Sequence, residues 1–426
     1  MNVKRDYATT FATEAVVIAC YLLAFRLVAA RLGPTGFGEY ALSRRVLSVL
    51  APLALLGVDL AVTRLVAFGS IDRSRIGQQY PLAAILMMSS MTALLSTALL
   101  ILQRPLAVVL FGSSVLASLI TPLPLLVLGN GIYAITYGYM RGNLKIQRAN
   151  LLAAACQGVV PVAAIFVSDS VPGVLAITGV SWTVISCAVL LTTPLRFGNL
   201  RQRMSDLAAY GVPRAPGGLL QFALFALPGI LIAHIADIRT AGLAAFGVAG
   251  LGLIGSALSP VGFVLLPLAT RMVARESFAE LRRQVVALAR ISGVAILMAT
   301  VIIEVLANRI ISGYLGLNDT SGTMLVRLLF LAALPWGAYV VLRSVLDARH
   351  VKAINTRNMA IAFGAFVIAT FFVWLWWWSP VGVVLAFVVS LYLLALLTII
   401  DVDAATRPAF HLRTAGAAPA VGGDVR

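Results

Sequence analysis

The chain has 426 residues, 61% of them hydrophobic and only 11% charged, with a mean hydropathy of +0.98. Soluble domains carry roughly 25% charged residues, so the composition argues against a soluble enzyme or binding module and predicts a polytopic membrane protein. A net charge of +16 would suit a nucleic-acid binder in a soluble chain. Here the basic residues sort by side of the membrane, and no nucleic-acid partner is expected.

A ~30 Å hydrocarbon core needs about 20 apolar residues per helix. The sequence supplies twelve such runs, at residues 8–30, 41–68, 81–102, 115–139, 149–168, 173–195, 215–236, 241–269, 285–307, 324–346, 358–378 and 380–400. The first follows MNVKRDY without a small-residue cleavage pattern and is expected to be a retained helix. Most arginines and lysines fall in alternate connections, among them Lys4, Arg5, Arg141, Lys145, Arg148, Arg201, Arg203, Arg282 and Arg283. With these inside, the positive-inside rule predicts both termini in the cytoplasm, as an even number of spans requires.

The first outer connection departs from that pattern. RLGPTGFGEYALSRRV, residues 31–46, together with Arg26, gathers Arg26, Arg31, Arg44 and Arg45 on the outer side. Gly33, Pro34, Gly36 and Gly38 predict a helix break and a close hairpin, and Pro52 is a further hinge candidate within the second span. An ionised side chain near the bilayer centre costs at least ~2.5–3.5 kcal/mol, so intramembrane charges point to a cavity or a partner. Span one carries Glu14 and Arg26; span two carries Arg44, Arg45, Asp59 and Arg64. At about 100° per residue, Arg45, Pro52 and Asp59 would project along one stripe of a continuous helix. Arg26, Arg44, Arg45 and Arg64 are therefore predicted to form a cationic patch that holds an anion, because guanidinium forks grip phosphate oxygens bidentately. The alternative is that Arg44 and Arg45 snorkel to the interface. Glu14, Asp59 and, in span nine, Glu304 are candidate sites for a coupling ion, H+ or Na+.

The basic midpoint connection RFGNLRQRMSDLAAYGVPRAPGG suggests two six-helix halves, 1–203 and 204–403, with an Ala-, Gly- and Pro-rich cytoplasmic tail at 404–426 expected to be disordered. Shifting the chain by 206 positions sets TGFGEYALSRRV beside AGLAAFGVAGLG, with Gly36 opposite Gly242 and Tyr40 opposite Phe246. This is a faint parallel repeat in which the first copy is charged and the second apolar. In the second half, RMVARESFAELRRQVVALAR is expected to be an amphipathic surface helix, and FFVWLWWWSP an aromatic belt at the outer interface. Cys20, Cys156 and Cys187 lie within apolar runs, no histidines are spaced as ligands, and no Walker loop occurs. No disulfide, metal or cofactor is expected.

Leu32, Gly33, Pro34, Phe37, Gly38 and Tyr40, followed by Gly57 and Arg64, resemble the first helical hairpin of the polysaccharide transporters of the multidrug/oligosaccharidyl-lipid/polysaccharide (MOP) superfamily, the Wzx-type flippases. Tyr210, Pro213, Arg214 and Pro216 resemble the start of their seventh helix. The resemblance implies an all-α, MATE-like pair of six-helix lobes working by alternating access. The implied substrate is an undecaprenyl-pyrophosphate-linked oligosaccharide, an O-antigen or exopolysaccharide repeat unit, turned from the inner to the outer leaflet of a bacterial inner membrane. Polysaccharide-assembly proteins are implied partners. An ion-coupled small-molecule antiporter of the same superfamily is the alternative, though it would favour acids over arginines in its cavity. A membrane glycosyltransferase or polymerase would present a long outer loop, which the spacing of the runs does not leave.

Overall fold

The computed structural model describes residues 3–71, 75–274, 277–316, 320–349 and 354–407. Helix is the only regular structure among them, as lipid requires of a backbone that must satisfy its own polar groups. The helices are α1 (Val3–Leu55), α2 (Val58–Ile71), α3 (Tyr80–Ile101), α4 (Gln103–Phe111), α5 (Leu123–Gly142), α6 (Ile146–Ala153), α7 (Val160–Val167) and α8 (Val171–Leu191). They continue with α9 (Leu200–Gly211), α10 (Ala215–Ile235), α11 (Ile238–Ala274), α12 (Phe278–Arg309), α13 (Thr320–Phe330), α14 (Ala333–Arg349), α15 (Ile354–Trp376) and α16 (Pro380–Ala405). A π-helical turn, Ala154–Val159, joins α6 to α7.

Eleven stretches of the described residues are long and apolar enough to cross a membrane, and the first of them, Ala8–Leu55, contains two arms. At Gly33 the backbone reaches φ 72°, ψ −175°, a region open essentially to glycine alone. There the chain folds back. Phe25 and Tyr40 would stand ~22 Å apart along a straight helix, yet their ring centroids are 5.7 Å apart. The predicted hinge set narrows accordingly. Gly33 alone makes the turn, Pro34 opens the second arm where its missing N–H is harmless, and Gly36 and Gly38 stay helical.

The second arm is itself interrupted. Leu56 and Gly57 have positive φ, 46° and 77°, four residues beyond Pro52, and α2 starts afresh at Val58. A stripe running Arg45, Pro52, Asp59 needs one continuous helix, so the break removes it.

Three buried apolar clusters among the described residues organise the packing. The largest draws on both halves of the chain, from Phe25, Phe37, Tyr40 and Leu42 of α1 to Leu243, Val248 and Leu251 of α11 and Phe330 of α13. The other two stay apart. One joins Leu55, Val58 and Val66 to Tyr80, Met140 and Leu207; the other joins Leu265 and Ala269 to Leu281, Leu346 and Val402. Apart from Leu207 of the connecting helix α9, which packs with the first half, the two halves thus share a core at the Gly33 end and keep separate cores at the Gly57 end.

At the Gly33 end the contact is backbone on backbone. A Cβ on Gly38 would collide with the Ile238 carbonyl oxygen, and one on Gly242 would strike Gly38 Cα. The two stretches matched as an internal repeat therefore meet face to face, with the Phe246 ring 5.4 Å from Phe25 and 6.0 Å from Phe37. Two cross-links flank this contact: Arg26 Nη1 donates to Gly313 O at 3.1 Å, and His234 Nε2 lies 2.8 Å from Val109 O.

The connecting helix α9 packs on α2 and α3. Arg203, within α9, donates to Asp206 at 3.0 Å and to the Tyr80 hydroxyl at 3.3 Å. The expected surface helix before span nine is not separate. From Phe278 it runs unbroken into the membrane-crossing part of α12 as far as Arg309, because no proline interrupts the stretch. The tryptophans Trp374, Trp376, Trp377 and Trp378 are exposed near the α15 terminus. Helix α16 extends to Ala405, and residues 408–426 of the predicted tail lie outside the described residues.

Candidate anion-binding cavity

A cavity of about 390 Å³ lies between the second arm of α1, the start of α2, α5, the π-helical turn, α8 and the start of α10. Its polar lining is Arg44, Ser48, Asp59, Asn130, Tyr133, Gln157, Trp182 and Arg214. Leu47, Ala51, Pro52, Leu55 and Phe222 supply apolar walls.

Arg44 owes its position to the turn at Gly33, which brings residue 44 level with residue 21 on the first arm. Its guanidinium carbon lies 5.5 Å from the Tyr21 ring centroid and 5.8 Å from that of Trp182. Cation–π attraction to two rings holds the charge without neutralising it, so the cation stays available to a ligand. The Trp182 ring is fixed in turn by its indole N–H, which donates to the Cys156 carbonyl. Cys156 belongs to the π-helical turn, a local widening that is frequent at functional sites, and Gln157 of the same turn reaches the cavity.

At the other end of the cavity, Tyr210 lies between two cations. Arg64 is 4.6 Å and Arg214 3.9 Å from its ring centroid, and Arg214 Nη1 also donates to the Tyr210 carbonyl at 2.9 Å. Asp59, in the first turn of α2, sits where the positive helix N-terminus favours a carboxylate. Among the described lining residues the charged groups are thus two arginines and one aspartate.

The predicted patch of four arginines separates into four environments. Arg44 lines the cavity. Arg45, one residue on and about 100° around the helix, donates through Nε to Ala245 O at 3.3 Å in the contact between halves. Arg26 bridges the halves at Gly313, and Arg64 stacks on Tyr210 outside the lining. Of the predicted acids, Asp59 lines the cavity, Glu14 is exposed on α1, and Glu304 lies 3.9 Å from Arg327 between α12 and α13. Pro52 is the one predicted hinge residue in the cavity wall.

Sequence reasoning passed over Trp182, Asn130, Tyr133 and Gln157 as cavity groups and placed Arg214 in the stretch that resembles the seventh-helix start, not in the cationic patch. The available signals were the lone tryptophan of span six, the polar Asn130 and Gln157 within apolar runs, and the YGVPR motif itself. Trp182→Phe keeps a ring under Arg44 and deletes the indole donor. The expected loss is about 0.5–1.5 kcal/mol of stability, typical of one hydrogen bond, read as a lowered thermal melting midpoint of the purified protein. An unchanged midpoint would rule out this positioning role.

Compared with family models and with curated protein sequences, the chain matches none. Solved structures are more informative. A multidrug resistance MATE family transporter of the MOP superfamily, in an inward-facing conformation, matches 92% of this chain over 98% of its own, with a TM-score of 0.74 at 12% identity. The lipid II flippase MurJ in an inward closed conformation matches 93% over 87%, with a TM-score of 0.74 at 14% identity. The chain has the fold of the MOP transporters. A third MOP superfamily transporter, from Pyrococcus furiosus, matches 94% over 95%, with a TM-score of 0.65 at 13% identity. The MOP fold comprises two lobes of six helices. Counting the Ala8–Leu55 stretch as its two arms brings the eleven apolar stretches to that number. The closed Gly33 end, the separate cores at the Gly57 end and the cavity at Arg44 are this chain's own features within that fold.

Proposed function

We propose that the chain is a transporter that moves an undecaprenyl-pyrophosphate-linked oligosaccharide, an O-antigen or exopolysaccharide repeat unit, from the inner to the outer leaflet of a bacterial inner membrane. The observation that carries the proposal is the charge of the cavity: among the described residues, Arg44 lies over two rings with no carboxylate in ion-pair distance, and together with Arg214 it faces one lining acid, Asp59. A cationic drug would need the opposite balance. Pocket polarity is a feature by which proteins of this fold differ, since the Pyrococcus furiosus structure is described by the reverse polarity of its binding pocket.

Asn130, Gln157, Ser48 and Tyr133 offer donors and acceptors of the kind a sugar hydroxyl needs. A volume of about 390 Å³ falls within the ~300–1,000 Å³ range of small-ligand sites, enough for a diphosphate and its first sugar. The remainder of the oligosaccharide would enter as the lobes part. The lobes correspond to residues 1–203 and 204–403, with the Gly57 end and both termini on the cytoplasmic side, in keeping with the positive-inside rule. Asp59, in the same cavity as Arg44, supports coupling of transport to H+ or Na+.

The test is leaflet transfer of a fluorescent pyrophosphate-linked glycolipid in proteoliposomes. Transfer of that lipid, with none of a neutral glycolipid lacking the pyrophosphate, is expected. Gradient-driven efflux of a cationic dye with no glycolipid transfer would overturn the proposal in favour of a small-molecule antiporter.

A further inference from the structure

The start of α12 and the end of α16 enclose a second groove, of about 650 Å³, that shares no lining residue with the cavity at Arg44. Arg282, Arg283, Arg290 and Arg407 line it. Two acids partly balance them: Glu280 pairs with Arg283 at 2.6 Å, and Asp403 with Arg282 at 3.1 Å and with Arg407. Among the described residues Arg290 has no carboxylate within ion-pair distance. The groove therefore keeps a surplus of positive charge.

Its position along α12 says what kind of anion it suits. Arg283, Val286 and Arg290 follow one another at helical spacing on a single face, the two arginines ~10 Å apart along the axis. The same face continues through Val294, Leu297, Val301 and Val305, which are 54–72% exposed. The most apolar part of this span is only 11% buried, against 72% for the span Thr320–Arg349. On the facing element, Leu396, Ile399 and Ile400 of α16 are exposed as well. A cationic groove thus opens directly onto an apolar ridge that no element among the described residues covers. A free anion would use only the first part of that surface, whereas a molecule with an anionic head and hydrocarbon chains would use all of it.

We infer that this groove is a binding site for the headgroup of an anionic glycerophospholipid, with acyl chains lying along the exposed face of α12. The phosphodiester is held by Arg283 and Arg290, while Arg282 and Arg407, tied to Asp403, form the far wall. The unbroken passage of α12 from its basic first turns into the bilayer makes the site, because head and chains are then bound by one rigid helix. The inference is independent of which substrate the cavity takes.

The test uses the full chain in nanodiscs of phosphatidylcholine containing phosphatidylglycerol as the minor lipid, with retained lipids counted by native mass spectrometry. Preferential retention of phosphatidylglycerol is expected, and Arg283→Gln and Arg290→Gln should each lower it by roughly fivefold, the effect of one basic residue at an anionic interface. Both positions are exposed, and unchanged melting midpoints would confirm that the variants are folded. Arg148→Gln, at an exposed arginine elsewhere, should leave retention at the wild-type level. Equal retention of the two lipids, wild-type retention in both groove variants, or an equal loss in Arg148→Gln would overturn the site. Displacement of phosphatidylglycerol by inorganic phosphate would overturn the lipid assignment and leave a site for free anions.

Discussion

Arg44→Gln is expected to slow transfer of a pyrophosphate-linked glycolipid by roughly 10- to 100-fold, while Arg45→Gln leaves the dependence of rate on substrate concentration unchanged. A hydrogen bond to a charged group contributes ~1.5–3 kcal/mol, and each 1.4 kcal/mol is about a factor of ten. Arg44 is the residue in the cavity, held over Tyr21 and Trp182. Arg45 donates to Ala245 O in the contact between lobes, so its loss should alter lobe closure and not substrate affinity. Arg44→Lys separates charge from shape. An ammonium keeps the charge but loses the planar fork that stacks on rings and meets two phosphate oxygens together, and an intermediate rate is expected. The measurement is initial leaflet transfer in proteoliposomes at matched protein content. A wild-type rate in Arg44→Gln would sink the cationic-site proposal.

The second large effect is expected at Gly38. Replacing it with leucine would drive a side chain into the Ile238 carbonyl at the point where α1 and α11 touch. Overpacking of a close contact costs about 1–3 kcal/mol, enough to shift the balance against closure at the Gly33 end by roughly 5- to 100-fold. Both leaflet transfer and closure should suffer. Closure can be followed by maleimide labelling of a cysteine introduced at Ser48, which lines the cavity, with Cys20, Cys156 and Cys187 replaced by alanine. Faster labelling from the Gly33 side, with reduced transfer, is the expected result. Labelling and transfer both indistinguishable from the Gly38 parent would exclude this contact as a gate. The same substitution at Gly36 tests position against residue type, since the nearest atoms a Cβ there would crowd belong to Leu32 and Val171, both within the first half, so any strain stays off the contact between halves.

The hairpin shows how far local chemistry reaches and where it stops. Leu-Gly-Pro is enough to place a reversal, because a backbone at φ 72°, ψ −175° needs glycine and proline suits the first turn that follows. The remaining glycines of the stretch have a different use. Gly38 is helical, and its lack of a side chain matters because the Ile238 carbonyl, two hundred positions later, comes to lie against it. The faint repeat linking these two segments was readable as composition, but not as a contact.

The site divides along the same line. Arg44 and Arg45 are equivalent as a pair of intramembrane cations in sequence, and a step of about 100° around the helix sends one into the cavity and the other into the lobe contact. Arg26 and Arg64 were visible as costly charges, yet a carbonyl at Gly313 and the Tyr210 ring are what they meet. Asp59 was placed on a stripe with Arg45 that the turn at Leu56 and Gly57 interrupts, and it reaches the cavity from the start of a new helix. Trp182 and Gln157 carried no motif, because their role depends on a π-helical turn that only packing reveals.

What the sequence by itself determined was the medium, the helices and the sign of the charge. Apolar run length against bilayer thickness sets the spans, and the cost of intramembrane charge flags the arginines; both depend on residues near one another in the chain. What only the tertiary structure decided was which of those charges share a cavity, which end of the lobes is closed, and which face of α12 is left to lipid. Those outcomes depend on helix rotation and on backbone contacts between segments far apart in sequence, and neither leaves a local trace in the order of residues.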